Sequence, residues 1–414
     1  MVLLVIKAST PSALLKQRGE DASIWYPCGV RAHRVSLAYA LLCAAVVFGW
    51  QGVTVARNHG GNWTALFYTG EYGRTPPSLA AEGIYRVPAS AGYDGQYYHY
   101  IAHDPVLSSG MAEYVDNPRL RWRRILVPAL SWLVAAGRSE WVDPAFFAVV
   151  LAFVFLGAYW LSRYCRSYGR NPAWGVAFAL VPAVVVSIDR MTIDVALAAL
   201  CVGFALYAEA EPSWKLYPVL VLAPFARETG LLLVFAWCMW LIVRKDWKRA
   251  AVFSTALVSY AGWLAFLALR TGWDQTSWSS WVPLSGLLAR TFHPLQYAVT
   301  GRWLAVAAAT DYLAVLGIWA AAGFAVTLLA RRAGKVSPVE MTAVVFAAFL
   351  AFLAKPDIWA ETYAFGRTLS PLLVMLAMSG IARRAWWQFV PMGMVLPRIA
   401  LQMLTQTLMA VKSS

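Results

Sequence analysis

The sequence predicts an all-α polytopic membrane protein with about ten or eleven transmembrane helices and a large first extracytoplasmic loop that carries interfacial helices. Three observations predict it. Of 414 residues, 60% are hydrophobic and only 14% are charged. Several apolar runs are long enough to cross the ~30 Å hydrocarbon layer. These runs are continuous rather than alternating, and a segment in lipid must satisfy its own backbone N–H and C=O groups, so they form helices rather than barrel strands.

The first span is residues 35–56, preceded by a cytoplasmic N-terminal segment, 1–34, that contains Lys7, Lys16, Arg18, Arg31 and Arg34. The apolar start at residues 1–6 is too short for a signal-peptide core. Later apolar runs lie near 144–162, 172–188, 194–209, 215–226, 229–243, 251–269, 303–330, 337–354, 368–382 and 386–411, so that 35–411 reads as one transmembrane domain. Residues 125–136 are apolar but number only 12, fewer than the ~17 needed to span. If they crossed, the clusters Arg163, Arg166 and Arg170, then Arg244, Lys245, Lys248 and Arg249, then Arg331, Arg332 and Lys335 would all lie outside, against the positive-inside rule. Placed in the interface instead, they leave these clusters and Arg383 with Arg384 cytoplasmic and make 57–143 one long outer loop.

The net charge of +14 arises from short basic clusters between apolar runs, as topology requires, so no nucleic-acid partner is expected. Membrane lipids are. Cys28, Cys43, Cys165, Cys201 and Cys238 form no CxxC, and no disulfide framework or structural zinc site is expected.

Five polar constellations stand out. In Tyr93-Asp94-Gly95-Gln96-Tyr97-Tyr98-His99 a helix from about Asp94 to His103, ended by Pro105, puts Asp94, Tyr97 or Tyr98 and Ile101 on one face. Gln96, His99 and His103 fall on another, so that one face can meet protein and the other solvent. Asp94 is then either a helix N-cap with interfacial tyrosines beside it, or a carboxylate base with aromatic rings suited to a sugar. His99 and His103 stand four apart without HExxH or a nearby third ligand and read as surface histidines, so no metal ligand is assigned. The run Arg119, Arg121, Arg123 and Arg124 can hold lipid or substrate phosphate.

Asp189 can cap the following helix, while Arg190 and Asp194, four apart, can pair with each other. Arg227-Glu228 interrupts an apolar stretch, where charge is costly unless it faces a polar cavity or ends two short helices. Arg227 is a candidate phosphate ligand, with Glu228 to orient it or to hold an acceptor. The fifth group is Lys355, Asp357, Glu361, Tyr363 and Arg367, before a span beginning at Thr368. Trp273, Trp278, Trp281, His293 and Arg302 add an aromatic belt or, alternatively, a sugar platform. No nucleotide-binding or hydrolase motif is present, so a nucleotide donor is not expected.

Tyr93-Asp94-Gly95-Gln96-Tyr97-Tyr98, Arg121-Trp122-Arg123-Arg124-Ile125-Leu126-Val127-Pro128, Arg227-Glu228-Thr229-Gly230 and Phe365-Gly366-Arg367-Thr368 together resemble elements of the GT-C membrane glycosyltransferases. The likeness is nearest to the bacterial relatives of the second GPI mannosyltransferase. It implies an inner-membrane enzyme with an extracytoplasmic active site, a polyprenyl-phosphate sugar as donor, a lipid or glycan acceptor, inversion at the transferred sugar, and an acidic residue of the first outer loop as base. That role falls on Asp94. Tyr97, Tyr98, Arg123, Arg124, Asp189, Arg190, Arg227, Glu228 and Arg367 are the expected substrate-binding residues. The adjacent acidic pair common in GT-C enzymes is missing at the motif; no cofactor is assigned, and a divalent metal stays compatible. The reading from a different class is a transporter or flippase of a lipid-linked or anionic solute, with the same arginines along its path.

Overall fold

The computed structural model describes residues 29–412 apart from 213, 273–278, 294, 296, 298, 299 and 331–335. Lys7, Lys16, Arg18, Cys28, Trp273, Trp278, Arg331, Arg332 and Lys335 therefore lie outside the described residues. Secondary structure among the described residues is helical, with only two isolated β-bridges. The principal helices are α1 (Gly29–Asn58), α2 (Asp94–His103), α3 (Pro118–Trp122), α4 (Leu126–Val134), α5 (Ser139–Ser167), α6 (Pro182–Arg190) and α7 (Asp194–Ala205). They continue with α8 (Leu216–Ala226), α9 (Leu231–Val243), α10 (Trp247–Arg270), α11 (Arg302–Leu329), α12 (Pro338–Phe352), α13 (Thr362–Arg383) and α14 (Val390–Lys412).

The chain is an all-α polytopic membrane protein. Five helices, those of α1, α5, α10, α11 and α13, are long and apolar enough to cross a membrane. The Pro172–Leu180 turn and α6, bent by 59°, make a sixth if taken as one span. Four of the other apolar runs form shorter helices of 11 to 15 residues, α7, α8, α9 and α12, and the last forms the 23-residue α14. Their ends are set by sequence: Arg227 is extended between α8 and α9, and Ser337 with Glu340 forms a capping box ahead of Pro338.

α1 and α5 pack antiparallel. Tyr159 near the end of α5 hydrogen-bonds His33 at the start of α1 (2.9 Å), and Trp63 just past α1 lies between Phe48 and Phe147. One end of the bundle therefore carries the 59–138 loop and the starts of α5 and α13. The opposite end carries its own ion pairs, Arg163 with Glu211 and Arg383 with Glu340.

Within the long loop, α4 has nine residues, so at 1.5 Å per residue it covers roughly 14 Å and cannot span. Trp132, Leu133 and Val134 turn outward while Leu126, Val127 and Pro128 are buried, which suits a helix lying at the membrane surface.

α2 departs from the expected half-solvated helix. Gln96, Tyr98, His99, Tyr100, Ile101 and Ala102 are all buried, because α2 is packed between α4, α5 and the Trp63–Phe67 turn. Asp94 is its first residue rather than its cap; Tyr93 is the cap and makes no side-chain capping bond. At the far end Asp104 accepts the backbone N–H of Ser108 (2.6 Å) and Ser109 (2.8 Å), and Pro105 cannot continue the helix. Gly95 is dictated by closeness: a Cβ there would lie 2.1 Å from the Arg190 carbonyl oxygen at the end of α6. Gly95→Ala is expected to destabilise the protein by about 1–3 kcal/mol, read as a lower unfolding temperature in detergent.

Candidate functional site

Five pieces of chain converge at one end of the bundle: the first turns of α2 and α7, the first two turns of α13, the run through α3, and the break between α8 and α9. Between them lies a cavity of about 210 Å³ lined by Asp94, Arg121, Arg124, Arg227, Arg367 and Thr368, with Lys355, Asp357 and Glu361 also on its wall. The break exists because Arg227 leaves the helical conformation and Gly230 lets the next turn close, a Cβ there falling 2.1 Å from the Ala223 carbonyl oxygen. Two short helices then present Arg227 to a polar space, the condition under which charge is tolerated in an apolar stretch.

The cavity is a lattice of opposite charges. Asp94 bonds Arg121 (2.9 Å) and Arg367. Arg121 grips Asp116 with two parallel bonds, 2.9 and 2.7 Å, its guanidinium 4.9 Å from the Tyr97 ring. Arg124 grips Glu228 in the same bidentate way, 2.7 and 2.6 Å, and donates to the Tyr98 hydroxyl at 3.1 Å. Arg227 pairs with Asp194 and donates to Thr368 Oγ1 at 3.0 Å. Arg367 reaches Asp194 at 3.5 Å as well. The Nε atoms of Arg227 and Arg367 are buried with no hydrogen-bond partner among the described residues. Unmet buried donors on cations cost free energy until an anion accepts them.

Burial alone raises the Asp94 pKa, but Arg121 and Arg367 outweigh it and hold the carboxyl well below its usual 3.8. A depressed acid stabilises the fold fully above its unfolded pKa, and that stabilisation is lost as the pH falls toward the folded value. As the pH is lowered from about 5 toward 2, the wild-type unfolding temperature is expected to drop more steeply than that of Asp94→Asn.

The structure brings together Asp94, Arg124, Arg227 and Arg367 as cavity walls. Tyr97 and Tyr98 stand behind Arg121 and Arg124 rather than facing the space. Glu228 holds Arg124, not Arg227, because the turn between them points the two neighbours apart. Arg123 is half-buried and does not line the cavity. Asp189 and Arg190 are set behind Tyr93: Arg190 is caged by the rings of Tyr68 (4.0 Å), Tyr93 (4.7 Å) and Tyr363 (5.4 Å), and Asp189 accepts the Tyr363 hydroxyl at 3.2 Å. Asp189 lies within α6 and caps nothing, and Asp194 pairs with Arg227 and not with Arg190, because a left-handed turn at Met191 separates the two charges. α13 begins at Thr362, earlier than expected, which puts Arg367 in its second turn.

Comparison with protein-family models, with curated proteins and with solved structures found no match to this chain. What the site can do follows from its own chemistry. Arg121, Asp116 and Asp194 are not among the expected substrate-binding residues, although Arg121 belongs to the phosphate-holding run and stands three residues before Arg124, a spacing that places both on one side of a helical run.

Proposed function

We propose that the chain is an integral membrane glycosyltransferase of the GT-C type that moves a sugar from a polyprenyl-phosphate donor to a lipid or glycan acceptor at the extracytoplasmic face. The observation that carries this reading is a carboxylate set among guanidinium groups, two of them with unmet buried N–H donors, in a cavity close to α4, an apolar helix too short to span. A phosphate bonded to a sugar meets these donors, and its lipid tail keeps it at the membrane. In the transfer the acceptor hydroxyl oxygen attacks the anomeric carbon as the carbon–oxygen bond to phosphate breaks. The bonding pair passes to the phosphate oxygen and the hydroxyl proton to Asp94, with inversion at carbon. Arg227 and Arg367 stabilise the charge that builds on the leaving phosphate.

With its two arginines in place Asp94 is ionised but weakly basic. A donor phosphate competes for Arg367, and as that guanidinium turns to the phosphate the carboxylate regains basicity. Donor binding and base activation are thereby the same event.

Purified protein incubated with a panel of polyprenyl-phosphate sugars and membrane-extract acceptors is expected to release polyprenyl phosphate from one member of the panel. Release from none of them, with protein shown to be folded, would overturn the proposal. Sidedness has its own measurement. Tyr72→Cys, in the long loop, is expected to react with an impermeant maleimide in intact cells, and Lys248→Cys only after lysis; equal reaction at both would undo this topology.

A further inference from the structure

α2 carries a second polar cluster beyond the cavity. His99 Nε2 lies 2.6 Å from Asp143 Oδ1, at the start of α5, and His103 Nε2 lies 3.5 Å from the same oxygen. The three ligand atoms sit within 4.8 Å of one another. Neither histidine is the surface residue expected from sequence: their side chains are 0% and 3% exposed, and the His99 ring is stacked on Phe67 at 4.0 Å. The third ligand comes from forty residues further along the chain, where helix spacing gives no sign of it.

The hydrogen bonds around His103 fix its tautomer. Its Nδ1 is 3.0 Å from Ser139 Oγ, and that hydroxyl, 3.0 Å from Glu82 Oε1, gives its single proton to the carboxylate. Ser139 therefore accepts from His103 Nδ1–H, and in the neutral imidazole His103 Nε2 carries the lone pair. That nitrogen is buried without a hydrogen-bond partner among the described residues and lies 3.5 Å from a carboxylate oxygen, which in the neutral form it meets lone pair to lone pair. A cation between them removes the conflict.

We propose that His99 Nε2, His103 Nε2 and Asp143 Oδ1 bind one divalent metal ion of the zinc class. Bonds of about 2.0–2.1 Å at tetrahedral angles put ligand atoms roughly 3.3 Å apart. The His103–Asp143 pair is already close to that separation, and the His99–Asp143 pair reaches it by opening less than about 1 Å. The Ser139–Glu82 relay behind His103 is the outer-shell support that orients metal-bound histidines. Asp143 is partly exposed, which leaves a fourth position for water. The ion fastens α2 to α5 and so holds the helix that carries Asp94. It does not touch the cavity and does not depend on the reaction proposed there.

The test uses the full chain, purified in detergent through a tag without histidines, stripped with chelator and titrated with Co²⁺ and then Zn²⁺. Expected are uptake of about one Co²⁺ per chain, visible absorption bands of tetrahedral form that Zn²⁺ abolishes, and a rise in unfolding temperature with either ion. Ser139→Ala, which removes no ligand, is expected to weaken binding roughly tenfold or more, and His103→Gln to abolish the bands. Stripped wild-type protein that takes up neither ion would overturn the proposal and assign a proton to His103 instead. Equal uptake by Asp143→Asn and His103→Gln would overturn it too. If a ligand variant does not fold, the wild-type titration and Ser139→Ala still decide.

Discussion

Asp94→Asn is expected to lower sugar transfer by roughly 10²–10⁴-fold, the usual worth of a positioned base, without weakening donor binding. The amide has nearly the shape of the carboxylate but cannot take the acceptor's proton. Both guanidinium groups that Asp94 holds, Arg121 at 2.9 Å and Arg367, are released toward the donor phosphate in the variant. Turnover and affinity should therefore separate, with kcat falling while KM for the donor stays level or drops. Transfer at undiminished kcat would remove Asp94 from the base role. A parallel rise in KM would make it a binding residue.

The second large effect is on stability. Asp194 is 3% exposed and faces Arg227 and Arg367, so Asp194→Ala strands the buried Arg227, leaves Arg367 to Asp94 alone, and is expected to cost about 3–5 kcal/mol. Replacing both members of the buried pair, Asp194→Leu with Arg227→Met, leaves no unpaired charge between them and is expected to recover most of that loss. The same double variant lacks a proposed phosphate ligand, and transfer should remain absent in it. Thermal unfolding and turnover of the single and double variants measure the two effects apart. Recovery of both together would make Arg227 structural only.

Much of the fold was legible because lipid leaves few options. Long apolar runs had to be helices, and residues 125–136 were too few to cross; the helix they form, α4, has nine residues. The site was legible in part. Arg367 and Arg227 were marked by the cost of a cation in an apolar stretch, and both proved to hold carboxylates. Which carboxylates they hold was not legible, because it depends on how distant segments pack. The i, i+4 rule favoured Arg190 with Asp194, yet a left-handed turn at Met191 sends the two charges to different partners. Local spacing likewise favoured one solvated face for α2, whereas the long loop folds around it and buries both. Gly95 lies against the Arg190 carbonyl, a neighbour far along the chain that periodicity does not reveal.

α4 begins two residues after Arg124 and turns Trp132, Leu133 and Val134 outward. With α4 at the membrane surface, as the proposed function has it, its depth sets the height of the arginine that clamps Glu228. A thinner or thicker bilayer shifts that height, and a detergent micelle does not fix it at all. Lipid thickness thus becomes a variable of the site itself, and activity measured in bilayers of graded chain length should pass through an optimum that micelles do not reproduce.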